Sequence, residues 1–168
     1  MCGFLSPNGA PGVGLFVDYF QPASKEERAA ASAIANYYSL PLLFATWRGV
    51  QPKEAGLIPG RNAFLFAVAA LEQPATVSII AAGIHSGTTY PDCSAEFLAR
   101  MQNAIEMGGR NRVAIAAPFL ELTKSEIIRY CLDRKIPLDL TYSCERGGAP
   151  PCGNCLSCRD REMLHACA

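Results

Sequence analysis

Apolar residues along this chain fall into two alternating rhythms, short unbroken runs and longer stretches with a helical repeat. Gly14 to Asp18 is a short apolar run behind the punctuating Pro11-Gly12, which suits a buried parallel strand. Ser24 followed by Glu27 makes a capping-box pattern, and the Ala-rich stretch to Tyr38 has high helix propensity, so a helix follows directly. Pro41 opens a strand over Leu42 to Trp47. The rhythm then repeats: a helix from Asn62 to Glu72, a strand from Val77 to Ile84, a helix from Ser94 to Met107 and a strand from Val113 to Ala116. Thr123 with Glu126 forms a second capping box for a helix to about Arg134, and Leu138 to Tyr142 reads as a last short strand.

Strict alternation of strand and helix predicts a doubly wound parallel sheet, and the 168 residues fit one domain: an α/β core over 14–142 and a C-terminal lobe over 143–168. The least regular stretches are Met1 to Val13, Arg48 to Gly60 and Glu145 to Pro151. No long apolar segment or leader pattern is present, so a cytoplasmic location and no membrane association are expected. Fifteen basic side chains balance fifteen acidic ones, which gives no field to draw in nucleic acid; a small molecule or a protein is the expected partner. The same balance argues against a zinc-ribbon nucleic-acid module.

Four of the eight cysteines change the picture most. Cys144, Cys152, Cys155 and Cys158 are spaced Cys-x7-Cys-x2-Cys-x2-Cys, so short turns through Gly153 can aim four thiolates at one tetrahedral ion. Four sulfurs leave no open position, which predicts structural zinc rather than a catalytic metal.

Other segments carry two readings each. Pro59-Gly60-Arg61-Asn62 enters an apolar helix, where Arg and Asn at a helix N-terminus form an anion site, or Asn is a plain cap and Arg is solvated. The loop Ile84 to Cys93 leaves the C-terminal end of a predicted central strand, where open parallel sheets bind ligands. Within it His85 is a proton-transfer group or a loop histidine, and Cys93 a nucleophile or a small buried residue. Lys124 begins a helix at the same sheet edge, or is solvated. Cys2 invites comparison with enzymes that expose an N-terminal cysteine, but nothing after it supplies the rest of such a site.

Phe16-Val17-Asp18-Tyr19-x-Gln21, Pro59-Gly60-Arg61-Asn62, Tyr90-Pro91-Asp92-Cys93, Lys124-x-Glu126 and Thr141-x-Ser143-Cys144-Glu145 with the cysteine cluster together resemble the 7-cyano-7-deazaguanine synthases, from about Gly14 to Arg161. The resemblance implies a Rossmann-like sheet of the adenine nucleotide alpha hydrolase type. It implies a ligase that uses ATP and magnesium to activate the carboxylate of 7-carboxy-7-deazaguanine for attack by ammonia, giving an amide and then a nitrile, or a related ligation to another amine. By family position Arg61 and Lys124 are catalytic, Arg61 pairing with carboxylate or phosphate and Lys124 stabilising the activated intermediate. Asn62, His85, Tyr90 and Asp92 bind the substrate, and Asp18, Tyr19 and Gln21 border the nucleotide.

The chain departs from the family pattern in places. The family's N-terminal Ser-Gly-Gly-x-Asp-Ser phosphate loop has no counterpart in Met1 to Val13, so its first strand and helix are expected to be missing. Phe20, Pro22 and Ala23 replace Gly, Arg and His, and the loop before Tyr90 is shorter, which resembles divergent relatives in bacterial defence gene clusters. A missing first strand would leave an exposed apolar edge, so a homo-oligomer, a dimer, is expected. The competing expectation is a non-catalytic remnant that binds a deazapurine or a protein partner.

Overall fold

A computed structural model of the chain describes residues 2–5, 12–49, 58–85, 87–88, 90–108 and 113–166, with backbone only for 2–5 and 163–166. Residues 1, 6–11 and 50–57 of the irregular stretches, and 86 and 89 of the Ile84 to Cys93 loop, lie outside the described residues.

Five strands form one sheet in the order β3-β2-β1-β4-β5: β1 (Cys2–Leu5), β2 (Val13–Asp18), β3 (Leu42–Thr46), β4 (Ile79–Ala82) and β5 (Ala114–Ala116). β2 pairs with β3 in parallel, Phe16 opposite Phe44, and β4 with β5 in parallel, Ile80 opposite Ile115. The expected all-parallel sheet is corrected at its centre. There β1 runs antiparallel to both neighbours, Cys2 facing Leu15 on one side and Ala82 on the other. The reason is reach: a parallel crossover needs a dozen or more residues, and only residues 6–12 connect β1 to β2. β2 is therefore paired on both sides, and the exposed edge expected there does not form.

The helices are α1 (Ser24–Tyr37), α2 (Arg61–Glu72), α3 (Ala95–Gly108), α4 (Lys124–Asp133) and α5 (Leu156–Ala166). α2 drives Phe66 and Ala69 onto Leu15, Val17, Ile80 and Val113, which are buried with them in one apolar core. Burial of aliphatic and aromatic side chains like these contributes about 1.5–3 kcal/mol each. α3 is fastened to β5 by Gln102, whose amide donates to the Val113 carbonyl (2.8 Å) and accepts from the Ile115 N–H (2.6 Å). Those contacts cover the outer edge of β5.

Two local expectations are corrected. Ser24 does not cap α1, because the helix already includes it; Ala23 occupies the cap position without a side-chain bond, and Glu27 instead accepts from Gln21 Nε2 at 2.9 Å. Leu138 to Tyr142 is not a strand but a 3₁₀ turn over Leu138–Leu140, closed by Leu140 N–H to Pro137 and Thr141 N–H to Leu138. The box at Thr123 forms as expected, with both Glu126 and Thr123 side chains bonded to each other's backbone N–H. No described helix is long and apolar enough to cross a membrane.

Candidate functional site

The C-terminal lobe brings Cys144, Cys152, Cys155 and Cys158 together with all four sulfurs within 4.8 Å of one another. Four sulfurs at 2.3 Å around a tetrahedral ion stand about 3.8 Å apart, and Cys152 and Cys158 are separated by 3.9 Å. Gly153 turns the chain between the last three ligands at φ 73°. Backbone N–H groups already point at the sulfurs, Cys152 to Cys144 and Cys158 to Cys155, each at 3.4 Å. Burial pushes the Cys144 thiol up, yet the N–H groups of Cys152 and Arg146 and the Cys152 and Cys158 thiols together bring it down to about 6. Cys158 is pushed up to about 12 by burial and by the neighbouring thiols. Thiols this crowded resist ionising together unless a cation sits among them, so the cluster could hold a metal ion, and its donor set fits zinc.

The lobe is fitted against the sheet edge rather than hung from it. Gly147, at φ 74°, lies so close to the β2–α1 turn that a Cβ there would meet the Pro22 carbonyl oxygen at 2.4 Å. Arg161 of α5 donates to the Leu138 carbonyl (2.7 Å) and to Thr141 Oγ1 (2.9 Å). Glu145 accepts from the N–H and hydroxyl of Ser157 at 3.2 and 2.8 Å, which ties the first cysteine's neighbour to the start of α5.

Beside the lobe, Tyr19, Gln21, Glu27, Arg61 and Glu145 line a cavity of about 50 Å³, room for a water-sized group and not for a purine-sized base. Burial raises the Tyr19 hydroxyl above its usual range, and the Arg61 guanidinium beside it pulls part of the way back. Gln21 is buried with its amide fully used: it accepts from Tyr19 N–H (3.0 Å) and donates to Glu27 and the Val17 carbonyl. Asp18 turns away from this cavity into an open groove of about 490 Å³ shared with Phe20, Gln21, Pro22, Lys25 and Arg28. Its carboxylate accepts from Phe20 N–H at 2.9 Å, and Phe20 takes a left-handed φ of 62°, a conformation that favours Gly.

On the other side of the sheet centre, Asn62 and the Tyr90-Pro91-Asp92-Cys93 turn meet. Gly60, at φ 74°, is the residue before α2, so Asn62 lies inside the helix and is not its cap. Buried Asn62 instead donates to the Asp92 carbonyl at 3.0 Å and lies 3.6 Å from Cys93 Sγ. Pro91 to Cys93 form a 3₁₀ turn, and Ser94 caps α3 by accepting from Phe97 N–H at 3.2 Å. His85 Nδ1 is enclosed with no hydrogen-bond partner among the described residues, and burial followed by the nearby Lys124 charge lowers its affinity for a proton. Lys124 itself is paired with Asp160 of α5.

A family model described as "Queuosine biosynthesis protein QueC" matches residues 45–166 of this chain. The chain belongs to the QueC family. Among curated QueC-family proteins, the 7-cyano-7-deazaguanine synthase of Persephonella marina is 38% identical over 112 residues, covering 62% of this chain and 49% of that protein. The synthase of Sulfurihydrogenibium sp. is 36% identical over 113 residues, covering 62% and 51%. That of Prochlorococcus marinus strain AS9601 is 29% identical over 193 residues, covering 97% and 86%. The chain thus spans about half the length of the first two relatives.

Against the residues that QueC resemblance selects, the structure joins Asn62 to Asp92, Tyr19 to Arg61 and His85 to Lys124. It separates Asp18 from Tyr19, which line different hollows. Glu27, Glu145 and Asp160 were missed. Glu145 had a signal, since it closes the Thr141-x-Ser143-Cys144-Glu145 motif directly after the first cysteine of the cluster; Asp160 had none, because its partner is 36 residues away.

Proposed function

We propose that this chain acts on a 7-deazaguanine, as a 7-cyano-7-deazaguanine synthase-like ligase that uses ATP and magnesium to convert the 7-carboxylate to an amide and then a nitrile with ammonia. The observation that supports it most is family membership over 45–166 together with a Tyr-Pro-Asp-Cys turn that Asn62 fixes at the mouth of the sheet. In this reading Lys124 and Arg61 meet negative charge on the ligand, and Asp92, Tyr90 and His85 border the base. The groove lined by Asp18, Phe20, Lys25 and Arg28 has the volume for a nucleotide and two cations at the start of α1. Zinc, held by Cys144, Cys152, Cys155 and Cys158, is structural, and the protein works as a homo-oligomer.

A second reading, a non-catalytic deazapurine- or protein-binding member with a place in bacterial defence, is favoured by the central strand. A phosphate cradle needs a strand that ends at this sheet edge and turns into a helix N-terminus. At the centre of this sheet β1 instead begins there, with Cys2 beside Ala82. Calorimetric titration with ATP and magnesium, with and without 7-carboxy-7-deazaguanine, separates the two. Saturable ATP binding supports the ligase; deazapurine binding with no ATP binding supports the binding protein; neither ligand binding sinks the ligase and the deazapurine-binding form of the second reading.

A further inference from the structure

The ion pair between Lys124 and Asp160 joins two parts of the chain that the whole metal motif separates in sequence. Lys124 is the first residue of α4, whose start is fixed by the Thr123–Glu126 box. Asp160 follows the fourth cysteine by two positions, early in α5. Its neighbour Arg161 is anchored to Leu138 and Thr141, and its helix begins between two metal ligands. The side chains are 38% and 34% exposed, so the pair adds little to stability, and the fold's energy does not explain it. What it does explain is direction. A lysine amine on a flexible four-carbon stem takes its place from the stiffer partner, and Asp160 is the stiffer partner.

We propose that Asp160 is a positioning residue for Lys124, so that metal binding by the C-terminal lobe sets the orientation of the ammonium beside His85. As far as it concerns ligand, this rests on the reading that Lys124 faces a negatively charged group. An ammonium has three donors; Asp160 takes one and leaves two for a carboxylate or phosphate. When the thiolates lose their ion, the start of α5 keeps only the Arg161 and Glu145 contacts, Asp160 is held less firmly, and the Lys124 stem samples its rotamers. Metal loading and anion binding are then coupled through one side-chain pair, and the coupling is reciprocal.

Two readouts test this on the full zinc-loaded chain. In the first, lysines are acylated with limiting acetic anhydride and Lys124 is followed by peptide mass spectrometry. Asp160→Asn, or chelation of the wild type, raises the Lys124 rate about threefold, the scale of an exposed ion pair. Chelation of Asp160→Asn adds nothing further. Equal rates in wild type and Asp160→Asn overturn the proposal. In the second, calorimetry with 7-carboxy-7-deazaguanine gives affinity weakened on the order of tenfold in Asp160→Asn, with zinc content unchanged and part of the loss restored in Asp160→Glu. Unchanged or tighter binding means that Asp160 does not position Lys124 for a ligand, and the proposal fails. If the wild type binds no deazapurine, the functional reading falls, and the acylation rates still decide whether the metal lobe holds Lys124.

Discussion

Asn62, in the first turn of α2, donates its side-chain amide to the backbone carbonyl of Asp92 at 3.0 Å across thirty positions of sequence. The bond crosses from the helix that carries Phe66 into the core to the turn that carries Tyr90 and Asp92. Asn62 is 8% exposed, so water cannot readily replace the contact. Asn62→Leu should therefore cost about 1–3 kcal/mol, measured as a lower urea midpoint at unchanged slope. Loss of deazapurine affinity should exceed what the stability change explains, because the Tyr-Pro-Asp-Cys turn is released from the sheet. A variant as stable as the wild type would show that the bond does not fix the turn.

Removing the metal tests the C-terminal lobe. Structural zinc contributes on the order of 10 kcal/mol in zinc-finger peptides, and here its ligands also support α5 and the Gly147 loop. The purified chain should carry about one zinc, by elemental mass spectrometry, and Cys155→Ser should carry almost none. Chelation should increase proteolysis around Glu145 and Arg159 well before the sheet unfolds. Full protection of that region in the metal-free chain would sink the structural assignment.

Gly147→Ala probes the seam between lobe and sheet. The residue sits at φ 74° and a Cβ would meet the Pro22 carbonyl oxygen at 2.4 Å, and the atoms it meets are Pro22 and Ala23 backbone, with no side-chain end free to move. A strained left-handed alanine together with that clash should cost on the order of 2–4 kcal/mol. Thermal unfolding would read the loss. Gly148→Ala, at φ 90° but with nothing nearer than the Pro150 carbonyl at 3.9 Å, should cost about half as much or less. Equal losses would mean that backbone strain alone, and not the seam, sets the effect.

Much of the fold was legible because it depends on local rhythm. Four of the five strands and the first four helices follow from apolar runs and capping boxes, and the four thiolates follow from spacing alone. β1 was not legible: four residues carry no periodicity, and what selects them is an open slot between β2 and β4 together with a connection too short for a crossover. Leu138 to Leu140 has the composition of a strand, but Pro137 and the Thr141 hydroxyl close it into a turn. Asn62, Asp92, His85 and Lys124 could be marked by motif. Their pairings could not, since a contact over thirty or more positions leaves no trace in local pattern.

His85 gives stability a pH dependence. Burial first, and then the Lys124 charge, lower its proton affinity below that of the unfolded chain. Below the unfolded value of about 6.5 the unfolded state therefore binds more protons, so stability is full above that pH and falls as pH drops toward the folded value. His85→Gln should flatten that slope between pH 5 and pH 7 in urea titrations. In proton spectra the His85 ring should titrate below its unfolded position, and a folded midpoint above 6.5 would reverse the sign and refute the account.

The last prediction concerns β3, the edge strand beside β2. The opposite edge, β5, has its Ile115 N–H and Val113 carbonyl covered by Gln102, while nothing among the described residues covers β3 in this way. Leu43, Phe44 and Trp47 are 37%, 45% and 45% exposed on or beside it. An uncovered apolar edge invites pairing with another strand, and a second copy of the same edge satisfies its backbone groups in an isologous dimer. Light scattering should give twice the chain mass. Thr46→Pro, which removes an edge donor, and Phe44→Lys, which charges the face beneath Arg28, should each shift the mass toward the monomer with the core intact. A monomeric wild type at micromolar concentration would remove the basis for a homo-oligomer, and a dimer unaffected by both variants would place its interface elsewhere.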